Sequence, residues 1–463
     1  VTAIGVSAFN GCSSLTSFAF SDGLVSIGER AFYNCDGLTE LHIPDGIESI
    51  GERAFYDCSN LTSATVGSTA TSIGYNAFRY CYNLTELTVP FVGGTPDDGN
   101  GLSYWFGDQW NMPQGLRKVT VTNSTTVTDN AFSGMSNLEE IVYEQAITAI
   151  GAGGFNNCTS LSSFDIPDTV TSIGSRAFYG CSSLNEIHVP EGVESFGEYA
   201  FYNCNGISEL TFAAESVDIG SQAFANCDNL TTLNVSDGSV TIGYEAFYNC
   251  DGLTELVLPE GINSIGGRAF YDCNNLTSAT VGSTATSIGQ YAFGQCNNLT
   301  ELTIPFVGGT PYDGNSLSYV FGNQWNMPQG LRKITVTNSS TVKDNAFNGM
   351  SNLEEIVYEQ PITAIGAGAF NNCTSLTSFD IPDTVIFVGN EAFYNCDSLT
   401  GVHLSGGDVT LGSNAFYDCD GIIELNATDG TVNIGSQTFA NCDNLTALNV
   451  SGGSVIIGYE AFY

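Results

Sequence analysis

The sequence predicts an α/β solenoid, in which short coils stack and each coil adds one strand to a parallel sheet. The first observation is a Phe that recurs every 23 residues from Phe9 to Phe462, with two longer intervals of 54 residues. The second is a longer period of 215 residues, which relates Phe32 to Phe247 and Phe247 to Phe462. The third is a hydrophobic content of 42%, enough for a continuous core. Since a single coil cannot bury its apolar face alone, neighbouring coils must stack.

Each coil follows the string C-x-x-L-x-x-L-x-I-P-x-x-V-x-x-I-G-x-x-A-F-x-x-C. The segment "LTELHIP" at 38–44 alternates apolar and polar residues, as a half-buried strand does. The Pro-Asp-Gly or Pro-Glu-Gly that follows predicts a turn. Ile50-Gly51 then supplies an apolar anchor and a residue that is free to adopt positive φ. "ERAFYNC" at 29–35 is too short for a full helix, and we expect a helical or 3₁₀ turn there.

Two coils are enlarged, near residues 91–121 and 306–336. In them "GLRKVTV" (115–121) and "GLRKITV" (330–336) take the place of the usual strand segment. With these included, we expect about twenty coils, the last one cut short. They form one continuous solenoid over residues 1–463, which holds just over two copies of a 215-residue module. The chain begins and ends inside a repeat, so we expect it to be a segment of a longer protein.

The repeated string resembles the BspA-like, treponemal-type leucine-rich repeat, and the resemblance covers essentially the whole chain. It implies a right-handed, curved leucine-rich-repeat solenoid with one parallel sheet on the concave face and short helical turns opposite. It also implies a bacterial or protist protein of the cell surface or extracellular space, often an adhesin for host matrix proteins or other cells. These proteins share a scaffold more than a partner, so the resemblance is not specific for any one ligand.

The chain is strongly acidic, with 49 Asp and Glu against 10 Lys and Arg and a net charge of −39. This balance argues against binding to nucleic acid, whose phosphates require Lys and Arg. It also argues against docking on anionic lipid. No stretch reaches the ~18–20 apolar residues of a membrane span. The charge suits an exposed, soluble surface that meets basic partners or cations.

All 15 Cys residues lie three positions after a repeat Phe, as Cys35 follows Phe32. Stacked coils place them in one column with neighbours ~5 Å apart, within reach of a disulfide, although parallel side chains do not readily adopt its torsion angle. Met135 and Met350 hold the same position in two other coils. Met fills similar space and forms no disulfide, so we expect a packing column of free thiols. Occasional disulfides and a metal or redox role are the alternatives.

The three His residues, His42, His188 and His403, occupy the same outward strand position in three coils. His42 and His188 are six coils apart, roughly 29 Å at ~4.8 Å per strand, so no two His residues can share a metal ion or form a catalytic pair. No Gly-rich phosphate loop follows a strand in the required way. We find no Ser/His/Asp or Cys/His arrangement. The protein is therefore expected not to be an enzyme, and to have no cofactor and no metal site.

The other outward strand position mostly alternates between Glu and a hydroxyl residue. This spacing sets most carboxylates ~10 Å apart, near the Debye length in physiological salt. Only Glu186 and Glu209 fall on adjacent coils, while Lys118 and Lys333 are each expected between two Glu residues. The face is open to two interpretations: a surface tuned for solubility, or an acidic, hydroxyl-rich concave surface that binds a protein or glycan. The candidate partner-binding residues on it are Glu40, His42, Glu86, Glu140, Glu186, His188, Glu209, Glu255, Glu301 and Glu355.

Each enlarged coil carries an insert rich in aromatic residues, and loops inserted into solenoids often bind partners. The candidate binding residues in the inserts are Tyr104, Trp105 and Tyr319. They could act as interface anchors or stack on sugar rings. Trp105 aligns with Val320 in the second copy, so we expect Trp105 to be exposed. The alternative is that insert aromatics fill the widened core, with Trp110 and Trp325 in place of the repeat Phe.

The sequence supports two hypotheses on function. The first is a non-catalytic extracellular or cell-surface scaffold for recognition or adhesion, which binds protein or glycan partners through an acidic concave sheet and inserted loops. The second is a structural spacer or filament subunit built from a tandem array of 215-residue modules, with copies of the chain as partners end to end. The near-copy favours the second hypothesis, because a long array needs identical joints more than a unique site.

Overall fold

The computed structural model describes residues 1–96, 98–107, 111–235, 238–322, 327–405 and 407–463. They form two compact units, Val1–Ser236 and Asp237–Tyr463. Each unit is a parallel-strand solenoid of the leucine-rich-repeat type, as the sequence predicts. Most coils pass once through a main ladder of strands and once through a second ladder of mostly shorter strands, with the core between the two.

The main ladder is formed by the "LTELHIP" segments, in which every second side chain points into the core. Neighbouring strands pair in parallel and in register, so residues 23 positions apart lie side by side, as Glu40 does with Ser63. The strands of the first unit are Glu40–Ile43, Ser63–Val66, Glu86–Val89, Lys118–Val121, Glu140–Tyr143, Glu186–Val189, Glu209–Phe212 and Thr232–Val235. Those of the second unit are Glu255–Leu258, Ser278–Val281, Glu301–Ile304, Lys333–Val336, Glu355–Tyr358, Gly401–Ser405, Glu424–Thr428 and Ala447–Ser451.

The second ladder is formed by the segments that end in the "IG" step. Its strands in the first unit are Ala3–Ile4, Ser26–Ile27, Ser49–Ile50, Ser72–Ile73, Thr126–Val127, Ala149–Ile150, Ser172–Ile173, Ser195–Phe196 and Ser216–Ile219. Those of the second unit are Ser239–Ile242, Ile262–Ile265, Ser287–Ile288, Thr341–Val342, Ala364–Ile365, Phe387–Val388, Val409–Leu411, Thr431–Ile434 and Ser454–Ile457. The glycine that follows is required by close stacking and not by positive φ, because a Cβ on Gly51 would lie 2.5 Å from the amide nitrogen of Glu29.

The "ERAFYNC" segments form consecutive tight turns, and the expected helical turn is wrong in type. Arg30 and Asn34 adopt φ angles of 52° and 58°, in the left-handed region. The amides of Arg30, Phe32 and Asn34 donate to carbonyl groups of the same segment in the next coil. Because these groups are paired between coils, they are not available for the bonds of a helix. In the described residues, helices occur only in the enlarged coils, at Ser103–Phe106 and Ser318–Phe321.

The core is built from columns of identical side chains. The rings of Phe32, Phe55 and Phe78 stack nearly parallel, with centroids 5.3 and 5.6 Å apart. All three rings and the neighbouring Cys35 are fully buried. Full burial of one such ring contributes about 1.5–3 kcal/mol. The repeated Phe therefore supplies much of the apolar contact between successive coils.

Three coils add no strand to the main ladder, and each of these interruptions coincides with a second Phe. Phe18, Phe164 and Phe379 hold the first inward strand position, which is Leu, Ile, Val or Ala in the other coils, and no strand forms around them. The ring of Phe164 is only half-buried and packs on Phe155 and Phe178, at centroid distances of 4.8 and 5.6 Å. The Phe column already fills the core, so a further ring at this position keeps the backbone out of the ladder.

Candidate binding face and inserts

The outward face of the main ladder has the charge pattern that the sequence predicts. Glu40, Ser63, Glu86, Lys118 and Glu140 are consecutive in register across five strands. The second unit repeats the order with Glu255, Ser278, Glu301, Lys333 and Glu355. The eight Glu candidates and the two His candidates are all exposed. Hydroxyl residues between the carboxylates keep like charges from lying directly opposite each other, which would be destabilising.

The two lysines on this face each pair with one of their two Glu neighbours. Lys118 Nζ lies 2.8 Å from Glu140 Oε1, and Lys333 Nζ lies 3.1 Å from Glu355 Oε2. The bond to Glu140 raises the pKa of Lys118. Both pairs are about half exposed, so each contributes little to stability. Their main effect is to neutralise one carboxylate beside each lysine, while Glu86 and Glu301 form no ion pair with the residues that the structure describes.

The one adjacent pair of carboxylates lies where the sequence places it. Glu186 and Glu209 are directly opposite each other in register. Glu209 Oε1 accepts hydrogen bonds from Asn234 Nδ2, at 3.4 Å, and from Thr211 Oγ1, at 3.5 Å. These long bonds orient Glu209, and His188 lies beside Thr211 on the neighbouring strand. These adjacent carboxylates therefore lie next to a histidine.

The histidines are separated, as the sequence predicts, because His42 and His188 lie on strands that belong to different sheets. His403 Nδ1 forms a hydrogen bond of 2.9 Å with Asn426 Nδ2. In the described residues, no group of three or more His, Cys, Asp or Glu side chains is arranged to hold a metal ion. No helix in the described ranges has the length and apolar character needed to cross a bilayer.

The expectation that Trp105 is exposed is wrong, since its side chain is fully buried. Its ring packs edge-on against Phe78 and Phe91, with centroid distances of 6.4 and 6.5 Å. Val320, at the same position in the second enlarged coil, is also fully buried, so the position belongs to the core in both copies. The apolar character of both residues is the signal that could have indicated this. Trp105 is therefore not available to a partner.

The two insert tyrosines remain candidates for contact. Tyr104 and Tyr319 are half-buried. The ring of Tyr104 packs against Tyr75 at a centroid distance of 5.4 Å, and Gly94 makes room for it because a Cβ there would lie 2.8 Å from the ring. The suggested core positions of Trp110 and Trp325 lie outside the described residues.

Sequence reasoning missed two grooves, one at the interruption around Phe164 and one at the interruption around Phe379. The first groove, of about 380 Å³, is lined by Tyr143, Glu144, Phe164 and Asp165 together with other residues of 139–167. The second, of about 540 Å³, is lined by the equivalent residues of 355–384. Each groove therefore combines an aromatic ring with carboxylates, and each lies within one unit. The Phe in a position that otherwise holds Leu, Ile, Val or Ala is the sequence signal that could have located them.

The thiols form a packing column. The cysteines of the column are free, and all except Cys12 and Cys442 are buried. Most donate a weak hydrogen bond to the carbonyl of the repeat Phe in the preceding coil, as Cys204 Sγ does to Phe178 O at 3.0 Å. Burial raises the pKa of Cys58 to about 12, and the pKa of Cys273 also to about 12. These thiols are protonated and inert at neutral pH.

Comparison with protein families gives a match along most of the chain. A family model described as a BspA type leucine-rich repeat region, in 6 copies, matches residues 1–92, 111–228, 217–334 and 340–463. No curated protein matches significantly.

Several solved structures are similar to the chain. A leucine-rich repeat protein from Bacteroides ovatus is 21% identical, with 96% of this chain and 91% of that chain covered and a TM-score of 0.38. A leucine-rich cell surface protein from Faecalibacterium prausnitzii is 21% identical, with coverage of 98% and 88% and a TM-score of 0.28. A pneumococcal vaccine antigen is 20% identical, with coverage of 78% and 77% and a TM-score of 0.29.

Proposed function

The chain belongs to the BspA-type leucine-rich repeat family, and from this premise we propose that it is a non-catalytic recognition scaffold of the cell surface or extracellular space. Its partner is a basic protein segment or a glycan that lies across the outward face of the main ladder. The observation that carries the proposal is the repeated order of carboxylate, hydroxyl and lysine residues, which is the same in both units. The face offers an extended, periodic surface and no single catalytic centre.

The two grooves extend this surface with apolar contact. Tyr143 and Phe164 supply aromatic area in the first groove, and Glu144 and Asp165 add negative charge beside it. Aromatic side chains in a partly desolvated pocket are typical anchors of protein interfaces. The surrounding acidic face attracts basic partners at long range, which raises association rates more than affinity. The Faecalibacterium protein is described as a cell surface protein, in line with this role.

Charge reversal on the face tests the proposal. The variant with Glu86→Lys, Glu140→Lys and Glu186→Lys is compared with the unmodified chain for binding to immobilised matrix proteins, basic peptides and a glycan array. We expect at least a tenfold loss of affinity for a basic partner, because each reversal places a like charge against the partner, and such contacts cost several kcal/mol.

The matched control reverses three exposed carboxylates away from the main ladder, Glu48, Glu191 and Glu194. It makes the same change in net charge. Equal loss of binding in both triple variants would show that net charge alone matters. Unchanged binding in the variant with reversals at Glu86, Glu140 and Glu186 would exclude the outward face as the binding surface.

The alternative function is a spacer or filament subunit, favoured by the 215-residue near-copy in the sequence. It predicts ordered end-to-end polymers with a regular joint. Sedimentation and electron microscopy of the natural full-length protein distinguish the two functions. Discrete monomers with capped ends would exclude the filament.

A further inference from the structure

In the second enlarged coil, oxygens of the insert bind the ammonium group of Lys343. Lys343 Nζ donates hydrogen bonds to the carbonyl oxygens of Val307 and Thr310, both at 2.8 Å, and to Asp313 Oδ1 at 3.3 Å. The side chains of Lys343 and Asp313 are only 15% and 25% exposed. Burial acts to raise the pKa of Asp313, but the amide of Asn315 and the Lys343 ammonium together hold that pKa below its ordinary value. Three oxygens of this insert thus surround one cation.

The first enlarged coil carries the same three residues at the equivalent positions. A shift of 215 residues relates Val307, Thr310 and Asp313 to Val92, Thr95 and Asp98. Asp98 accepts hydrogen bonds from the amides of Thr95 and Asn100, at 2.8 and 2.9 Å. Asp313 accepts the equivalent bonds at 2.6 and 3.1 Å. The carboxylate is therefore oriented in the same way in both copies.

The glycine beneath each carboxylate has the same geometry in both loops. The loops differ nearby, because the Asp98 amide donates to the Thr95 carbonyl at 3.5 Å, whereas the Asp313 amide donates to Thr310 Oγ1 at 3.1 Å. A Cβ on Gly93 would lie 2.5 Å from Asp98 Oδ1, and a Cβ on Gly308 would lie 2.5 Å from Asp313 Oδ1. Their φ angles are +112° and +100°, which glycine adopts without strain. Each glycine therefore lets the backbone pass directly under the carboxylate.

The two copies differ at the position that Lys343 occupies in the second copy. Thr128 stands where the second copy has Lys343. Its hydroxyl oxygen is buried and has no hydrogen-bond partner among the described residues. Counting the described side chains, the first site has a charge of −1 from Asp98, and the second has zero from Asp313 and Lys343.

We propose that the first enlarged coil binds a metal cation of the Ca²⁺ type at the position that the Lys343 ammonium takes in the second. The ligands are the carbonyl oxygens of Val92 and Thr95 and the carboxylate of Asp98. Ca²⁺ accepts carbonyl and carboxylate oxygens in flexible geometry, whereas Mg²⁺ demands a near-ideal octahedron at shorter distances. The exposed side of Asp98 gives room for water to complete the coordination shell. With one carboxylate ligand, we expect a dissociation constant of about 10⁻⁴–10⁻³ M.

Reciprocal exchange of the two residues tests this site in the full chain. Binding of CaCl₂ is measured by isothermal titration in 0.15 M NaCl, and folding of each variant is checked by circular dichroism. The unmodified chain should show one saturable site above the diffuse binding of its acidic surface. Thr128→Lys should abolish that site, because its ammonium occupies the oxygens, and Lys343→Thr should raise the stoichiometry to two.

Two further variants serve as controls. Asp98→Asn should remove the site, although it keeps only one of the two oxygens that accept the amides of Thr95 and Asn100, so its folding is checked as for the other variants. Thr171→Lys adds the same positive charge at an exposed position and should leave the site intact. If Lys343→Thr does not fold, the Thr128→Lys and Asp98→Asn variants decide the result.

The proposal is overturned if the unmodified chain has no saturable site, or if Thr128→Lys binds Ca²⁺ as the unmodified chain does. An equal response to MgCl₂ or KCl would exclude the Ca²⁺ type. These outcomes do not bear on the recognition function, which depends on the outward face of the main ladder.

Discussion

At the scale of single residues, the cysteine column behaves as buried packing. Burial raises the pKa of Cys181, Cys227 and Cys373 to about 12 in each case, so almost no thiolate forms at pH 8. Only Cys12 is exposed. We expect a thiol reagent at pH 8 to label about one of the 15 cysteines rapidly in the folded chain and all of them in guanidinium chloride. Absorbance of the released chromophore counts the reactive groups.

The control for this prediction is Cys12→Ser, which should remove the rapid phase alone. The sign of the pH effect follows from the raised pKa values. Folded thiols keep their protons above the ordinary pKa of 9.0, whereas unfolded thiols lose them. Stability from the column is therefore complete below pH 9 and is lost as pH rises toward 12. Rapid labelling of many thiols at pH 8 would contradict the burial of the column.

A second residue-scale prediction concerns Phe164. Phe164→Leu places at the first inward strand position a Leu, which many coils of the main ladder have there. We therefore expect residues 163–166 to join the main ladder. Each amide hydrogen bond gained is worth about 1 kcal/mol, which slows local hydrogen exchange by about fivefold. Hydrogen-exchange mass spectrometry of peptides that cover 160–170 measures this change.

Phe379→Leu is the matched control, because it should protect 378–381 and leave 163–166 unchanged. Fast exchange that persists in both variants would mean that the extra ring does not cause the interruption. The sequence shows the extra Phe but not the loss of the strand around it. That loss depends on how much space the Phe column leaves in the core.

At the scale of elements, the enlarged coils join the solenoid through buried rings. Trp105 is fully buried between Phe78 and Phe91. We expect Trp105→Ala to lower the free energy of unfolding by about 3–5 kcal/mol, as for other large aromatic truncations in cores. Urea unfolding followed by circular dichroism measures the loss. Val320→Ala is the matched change in the second copy and should cost less, because it removes fewer buried atoms. Equal small losses would indicate that Trp105 is loosely packed.

How far each element could be predicted depends on whether side chains or backbone define it. The alternation in "LTELHIP" gave the main ladder and its register, and the Glu, Ser and Lys positions followed from it. The "ERAFYNC" segment, too short for a full helix, was expected to form a helical or 3₁₀ turn. The positive φ of Arg30 and Asn34 arises from hydrogen bonds between coils, which a single coil's sequence does not show. The three oxygens around Lys343 include two backbone carbonyls and were invisible for the same reason.

At the scale of the whole molecule, the net charge of −39 is the dominant electrostatic feature. The ion pairs found on the surface, such as Arg117 with Glu139, are largely exposed and contribute little. Repulsion among carboxylates therefore outweighs local attraction in the folded state. Alternation of Glu with Ser reduces the repulsion between carboxylates on neighbouring strands, but it does not remove the repulsion between carboxylates on more distant coils.

Because repulsion among carboxylates outweighs attraction in ion pairs, we predict that salt stabilises the protein. Between 0.01 and 0.15 M NaCl the Debye length falls from about 30 Å to about 8 Å, which screens carboxylates on different coils from each other. We therefore expect the thermal midpoint to rise over this range, by several degrees, when unfolding is followed by circular dichroism at constant pH. Choline chloride at the same ionic strength should act like NaCl, since screening does not depend on the cation. A midpoint that falls with salt would mean that the ion pairs outweigh the repulsion. A rise with CaCl₂ beyond that of a monovalent salt at equal ionic strength, lost in Thr128→Lys, would instead report the proposed cation site.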